Sequence, residues 1–149
     1  QIFLACRVED RITGRQFWFV VLHLKSDGSG THGSMERRRV HEATLALEQI
    51  QFLTPKKPIV VVGDMNSDRF LYHYFEENGI RHVLNVFEDF DCVLPLQPTY
   101  NHWNKAAFDH ILVQGAAAVR TFVPLCKHIA PNSEQGSDHL PVYADLLIF

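Results

Sequence analysis

The chain has 149 residues, 46% of them hydrophobic and 21% charged, and a formal net charge of −3 with histidines neutral. That suffices for one domain with a real core in ordinary globular proportions; it excludes the strongly basic overall field that announces a nucleic-acid binder, though a local basic surface stays open. No apolar stretch reaches membrane-spanning length and the opening residues carry no signal-peptide pattern, while Cys6, Cys92 and Cys126 lack C-x-x-C spacing and form an odd set, which supports neither a zinc site nor a disulfide framework and reads as buried thiols in a reducing, intracellular compartment.

Residues 2–8 and 16–24, joined at Thr13-Gly14, predict a hairpin. Its second arm, Phe17-Trp18-Phe19-Val20-Val21-Leu22-His23-Leu24-Lys25, carries His23 near the end of a buried strand. The polar loop from Ser26 to Gly33 comes directly after it and is well placed to border a site. Ser34 then caps a helix whose apolar members Val40, Ala43, Leu47 and Ile50 recur at helical spacing, and the helix ends before Pro55. Arg37-Arg38-Arg39 lies in its first turns, and Lys56-Lys57 comes after it. Such runs are solvated faces in most proteins; the alternative is that the arginines, Arg37 first among them, meet substrate phosphates.

The most informative stretch is Pro58-Ile59-Val60-Val61-Val62-Gly63-Asp64-Met65-Asn66-Ser67-Asp68. A β-branched run without polar alternation predicts a strand buried on both faces. Asp64 and Asn66 flank Met65, so if the extended backbone persists their side chains share a face. One negative acceptor beside a neutral donor–acceptor suits a site that positions a water and holds a phosphate oxygen. The same residues also suit a plain strand-to-helix turn in which Asp68 caps a short helix. That helix would set Leu71, Tyr74 and Phe75 on one side and stop at Gly79. Further strands are predicted near 83–87, 109–114, 118–124 and 141–148, giving layered α/β architecture.

Pro98-Thr99-Tyr100-Asn101-His102-Trp103-Asn104 interleaves aromatics with polar residues. Tyr100 and Trp103 would either stack on bases beside a site or close the loop over the core. Phe108-Asp109-His110-Ile111 opens a strand with an acid, and His110, next to Asp109, should point to the opposite face. Gly136-Ser137-Asp138-His139-Leu140-Pro141-Val142 places Asp138 and His139 just before the last apolar run. The consecutive Ser137, Asp138 and His139 are not a serine-hydrolase triad, because a triad needs spatial convergence, and no Gly-x-Ser-x-Gly elbow exists. His32, His41, His73, His82, His102, His110 and His128 lack ligand spacing and read as surface or structural.

In order, His-Leu-Lys at 23–25, Gly-Asp-x-Asn at 63–66, Asp-x-Ile at 109–111 and Ser-Asp-His-x-Pro-Val at 137–142 resemble the motifs of the endonuclease/exonuclease/phosphatase family of metal-dependent phosphoesterases. The match runs from about residue 17 to the C-terminus. It implies a four-layer α/β sandwich of the DNase I-like type, of which this chain is the C-terminal half. Family members are longer and place a metal-binding Asn, then a metal-binding Glu, upstream of the matched segment; Glu9 and Glu36 are the nearest acids here, and neither is identifiable as that ligand. The implied chemistry is phosphodiester hydrolysis with Mg²⁺ or Mn²⁺, since hard oxygen ligands dominate the motifs. Asp64 would orient or deprotonate the attacking water and Asn66 would bond the scissile phosphate. His139, steered by Asp109, would contact a non-bridging oxygen or move a proton, and His23 would stabilise charge on phosphorus. Asp64, Asn66 and Asp138 would hold metal. The branch most similar in these residues degrades RNA and includes deadenylases and nocturnin-like proteins, so a nuclease is expected, with RNA ahead of DNA. The alternatives are a lipid-headgroup or small-molecule phosphodiesterase or phosphatase, or a catalytically degenerate interaction module. The fragment alone is expected to be inactive, to expose the apolar edge where the other half packs, and to be completed by that half or by a larger complex.

Overall fold

The computed structural model describes residues 2–26, 32–53, 58–100, 106–123 and 139–149. Trp103, Asp138, Ser137, Cys126 and the Lys56-Lys57 pair lie outside them. Strand β1 (Ile2–Glu9) and β2 (Gln16–His23) form the antiparallel hairpin. Asp10 shapes its turn by accepting from the Ile12 amide and the Thr13 hydroxyl, and Gly14 supplies the positive φ of 69°. Helix α1 (His32–Leu53) crosses over to β3 (Ile59–Asp64), which pairs parallel with β2. Beyond helix α2 (Tyr72–Glu77), the short β4 (Asp91–Cys92) and β5 (Asp109–Gln114) complete a five-stranded sheet in the order β1-β2-β3-β5-β4. Strands β6 (Ala116–Phe122) and β7 (Tyr143–Ile148) form a separate antiparallel ribbon.

Doubly buried strands are explained by what lies on each face. Val20, Leu22, Ile59, Val61 and Leu112 pack under Ala43, Ala46 and Ile50 of α1 together with Val83, Val86 and Phe87. Val60, Ile111 and Val113 face the other way, with Leu94 and Ala116, against Val142, Ala144, Leu146 and Ile148 of the ribbon side. The result is a mixed α/β arrangement in which alternate residues of β3 serve opposite cores. Because β3 is parallel to β2 and antiparallel to β5, with Asp64 opposite Asp109, His23, Asp64 and Asp109 emerge at one end of the sheet. No helix among the described residues is long and apolar enough to cross a membrane.

Four local expectations are corrected. Residues Val83–Phe87 are a 3-10 turn, not a strand. The His82 ring nitrogen accepts from the Leu84 amide and the Asn85 side chain accepts from the His82 amide, a capping box built on an unusual residue. Helix α1 begins at His32, so Ser34 lies inside the first turn. The strand expected at 118–124 runs from Ala116 to Phe122, and the last one is confined to Tyr143–Ile148. Asp68 does act as a cap, accepting from the Phe70 amide ahead of a 3-10 turn, Arg69–Leu71, that leads into α2.

Candidate active site

Gly63 sets up the site. Its φ is +141°, and a β-carbon there would lie 1.9 Å from the Leu22 carbonyl oxygen. Only glycine lets the end of β3 pass this close to β2, and the approach is fastened by the Leu24 amide donating to the Asp64 carbonyl at 3.1 Å. A cavity of about 790 Å³ opens at this end of the sheet, and His23, Asp64, Asn66, Tyr100, Phe108 and His139 are among its lining.

The extended backbone does not persist to Asn66. The strand stops at Asp64, and Asn66 sits in the left-handed region at φ 49°, a conformation asparagine tolerates. Its amide nitrogen donates to Asp64 Oδ1 at 2.8 Å, and its side-chain Nδ2 donates to the Leu24 carbonyl at 3.1 Å. The turn thus orients the Asp64 carboxylate, and Oδ2 is the oxygen that meets His23 Nε2 at 3.8 Å and His139 Nε2 at 3.7 Å. Burial pushes the Asp64 carboxyl above its usual range, and the neighbouring Asp109 adds to this; the Asn66 amide, His139 and His23 pull the other way.

His139 is 2.8 Å from Asp109 Oδ2 through Nδ1. A carboxylate there only accepts, so Nδ1 carries the hydrogen and Nε2 is the nitrogen turned towards Asp64. His110 points away from the cavity and is buried, its Nε2 donating to the Ser67 carbonyl at 3.2 Å. Tyr100 lies against the rings of His139 and Phe108, at 5.1 and 5.4 Å between centroids. Arg37 is exposed and does not line the cavity, whereas Arg39, two positions on, is buried and does.

Behind the site lies a buried polar hub. Glu36 accepts at Oε1 from the Ser67 hydroxyl (2.6 Å) and the Val83 amide (2.9 Å), and at Oε2 from Arg39 (3.1 Å). Arg39 also donates to the Lys25 carbonyl at 3.0 Å. Burial raises the Glu36 carboxyl, while the Ser67 and Val83 donors favour its charged form. His82 Nδ1 is occupied as an acceptor, so Nε2–H faces the Ser67 hydroxyl and the Asp68 carbonyl. The sequence marked Glu36 only as an upstream acid, Arg39 only within its arginine run and the cavity-lining His32 as surface or structural. For the first two a signal existed: they occupy the Val40-Ala43-Leu47-Ile50 side of α1, where a charged residue must find partners inside.

Among the described residues, Asp64, Asp109 and His139 offer ligand atoms within 4.8 Å of one another. The Asp109 charge adds to the raised proton affinity of Asp64, so the site gains from a cation, and oxygen donors with one imidazole fit Mg²⁺ or Mn²⁺.

The sequence matches the profile described as the Endonuclease/Exonuclease/phosphatase family over residues 2–139. No curated protein sequence matches the chain. Among solved structures, a conserved protein of unknown function from Enterococcus faecalis V583 is similar with a TM-score of 0.70 and 17% identity, covering 100% of this chain and 57% of that one. The human nocturnin catalytic domain with bound sulfate anion gives 0.67 and 23%, covering 97% and 52%. The mannosyl-6-phosphatase Bt3783 of Bacteroides thetaiotaomicron gives 0.62 and 21%, covering 97% and 56%. At these identities the likeness is one of fold, and the chain spans little more than half the length of each structure.

Proposed function

Because the chain belongs to the endonuclease/exonuclease/phosphatase family, we propose that it carries the phosphate-facing part of a divalent-metal-dependent phosphodiesterase, acting on RNA ahead of DNA. The observation that carries this reading is the convergence of His23, Asp64 and His139 on one cavity, with Asp109 bonded to His139 beside it, from four separate segments. The remainder of a four-layer sandwich would come from upstream residues, consistent with coverage of 52–57% of the similar structures. Free thiols at Cys6 and Cys92 suit an intracellular setting.

Asp64 would hold Mg²⁺ or Mn²⁺ together with Asp109, leaving His139 for the phosphate, and Asn66 and Asp138 remain candidates from their motifs. The bound cation neutralises phosphate charge and lowers the cost of forming the nucleophile or the leaving group. Asp64 would orient the attacking water or take its proton. Asn66 spends one Nδ2 hydrogen on Leu24 and has a second for a phosphate oxygen. His139 presents Nε2 to the cavity; protonated, it donates to a non-bridging oxygen, and Asp109 stabilises that charge. His23, half exposed at the rim, would stabilise the charge that builds as phosphorus becomes pentacoordinate. Tyr100 and Phe108 supply aromatic surface for a base, and Trp103 belongs to the same segment. Arg37 retains a role only for a substrate reaching beyond the cavity.

A second reading, a phosphatase for a small molecule, is favoured by the mannosyl-6-phosphatase among the similar structures. The test is steady-state hydrolysis by the full-length protein with added metal and with chelator, on RNA and on a sugar phosphate. Asp64→Ala and His139→Ala should each lower kcat/KM on the preferred substrate by about a hundredfold or more. Full activity in either variant overturns the assignment, and Trp103→Ala that spares RNA cleavage removes base stacking from it.

A further inference from the structure

Thr99 is almost fully buried, 1% exposed, and its side chain does not line the cavity. Its hydroxyl oxygen accepts from two successive amides, those of Phe108 and Asp109, each at 3.0 Å. Its carbonyl accepts from the Leu140 amide at 2.6 Å. One residue therefore grips the chain where the Asp109 side chain emerges and again one residue past His139. Asp109 and His139, next to these contacts, are 30 positions apart in sequence yet share a 2.8 Å hydrogen bond. Tyr100 continues the link with isolated bridges to Ala106 and His139.

Resting on the phosphoesterase reading, we propose that Thr99 is a positioning residue that clamps the Asp109–His139 pair, so that His139 keeps its hydrogen on Nδ1 and presents Nε2 to the substrate. A hydroxyl oxygen with two acceptor sites is the feature that permits both amide contacts at once. Without it, the Phe108 and Asp109 amides lose their acceptor, and the start of β5 keeps its ladder partner Asp64, the Met65 amide on the Phe108 carbonyl and the imidazole. A displacement of Asp109 by a fraction of an ångström then loosens the imidazole, and small misplacements of reacting groups are costly.

The test compares the full-length protein with Thr99→Val, which keeps the shape but removes the acceptor, and Thr99→Ser, which restores the acceptor. Nitrogen-15 resonances of the His139 ring report which nitrogen carries the hydrogen. Thr99→Val should mix the two tautomers and lower kcat about ten- to a hundredfold at unchanged KM, and Thr99→Ser should recover both. Wild-type ring signals and kcat in a Thr99→Val protein that is merely less stable would overturn the clamp. Should Thr99→Val fail to fold, amide exchange in the unaltered protein decides, since the clamp requires protected Phe108, Asp109 and Leu140 amides and fast exchange at any of them refutes it. The ring and exchange measurements need no turnover, so an inactive wild-type protein would count against the phosphoesterase reading alone.

Discussion

Replacing Gly63 by alanine forces a β-carbon into the Leu22 carbonyl and a φ that L-residues rarely adopt. Strain and overpacking together should cost about 3 kcal/mol or more, seen as a large drop in the urea midpoint; a midpoint near that of the unaltered protein would contradict the close approach. The buried histidines make a second prediction at this scale. Burial holds both His82 and His110 down to about 4 from an ordinary 6.5, and neighbouring arginines add to it. The unfolded chain takes up these protons below pH 6.5, the folded one not until about 4, so the stability they contribute is complete above 6.5 and is lost as pH falls towards 4. Each is worth up to about 3 kcal/mol. Glu36, raised by burial, works in the opposite sense. Unfolding free energy measured from pH 7 to 4.5 should therefore fall steeply, and less steeply in His110→Gln; equal slopes would argue against a neutral buried His110.

At the scale of elements, α1 is both a crossover and a bracket. Through Glu36 it holds the turn after β3 at Ser67 and the 3-10 turn at Val83, and through Arg39 it holds the chain after β2 at Lys25. Glu36→Ala leaves the Arg39 charge buried without its carboxylate, which should cost about 3–5 kcal/mol; a loss below about 1 kcal/mol in chemical denaturation would show the hub to be dispensable. Much of this frame was legible in the sequence. The hairpin, α1, β3 and β5 come from local periodicity and turn residues, which act within a few positions. Residues 83–87 were not, because Val83, Val86 and Phe87 look strand-like by composition and only tertiary packing shows that they use the i, i+3, i+4 face. Which of Arg37, Arg38 and Arg39 turns inward was not legible, because a run of three arginines hides the helix phase. The bend at Asn66 depends on the Leu24 carbonyl, 42 positions away, and no local pattern announces such a partner.

For the molecule as a whole, apolar side chains remain uncovered among the described residues: Leu4 on the outer strand β1 and Val119, Leu147 and Phe149 on or beside the ribbon are each more than half exposed. Each large aliphatic left in water forgoes roughly 1.5–3 kcal/mol, and a two-stranded ribbon is marginal by itself. The 149-residue chain alone should therefore bind a hydrophobic dye and self-associate in size-exclusion chromatography, and co-expression with the proposed other half of the sandwich should abolish both. A monodisperse, non-binding monomer would show that these faces need no cover.

The parallel pairing of β2 with β3 also sets a timetable. Trp18 meets Ile59 about forty residues along the chain, and Asp64 meets Asp109 about as far again, so the entropy of closing long loops precedes any return from these contacts. The β1–β2 hairpin can form within microseconds, but the inner edge of β2 then waits for β3. At roughly 5–20 residues per second of synthesis, His139 leaves the ribosome on the order of ten seconds after His23. Until β3 is also out, the inner edge of Phe17-Trp18-Phe19-Val20-Val21 stays unpaired, which makes the nascent chain a client for chaperones before its site exists.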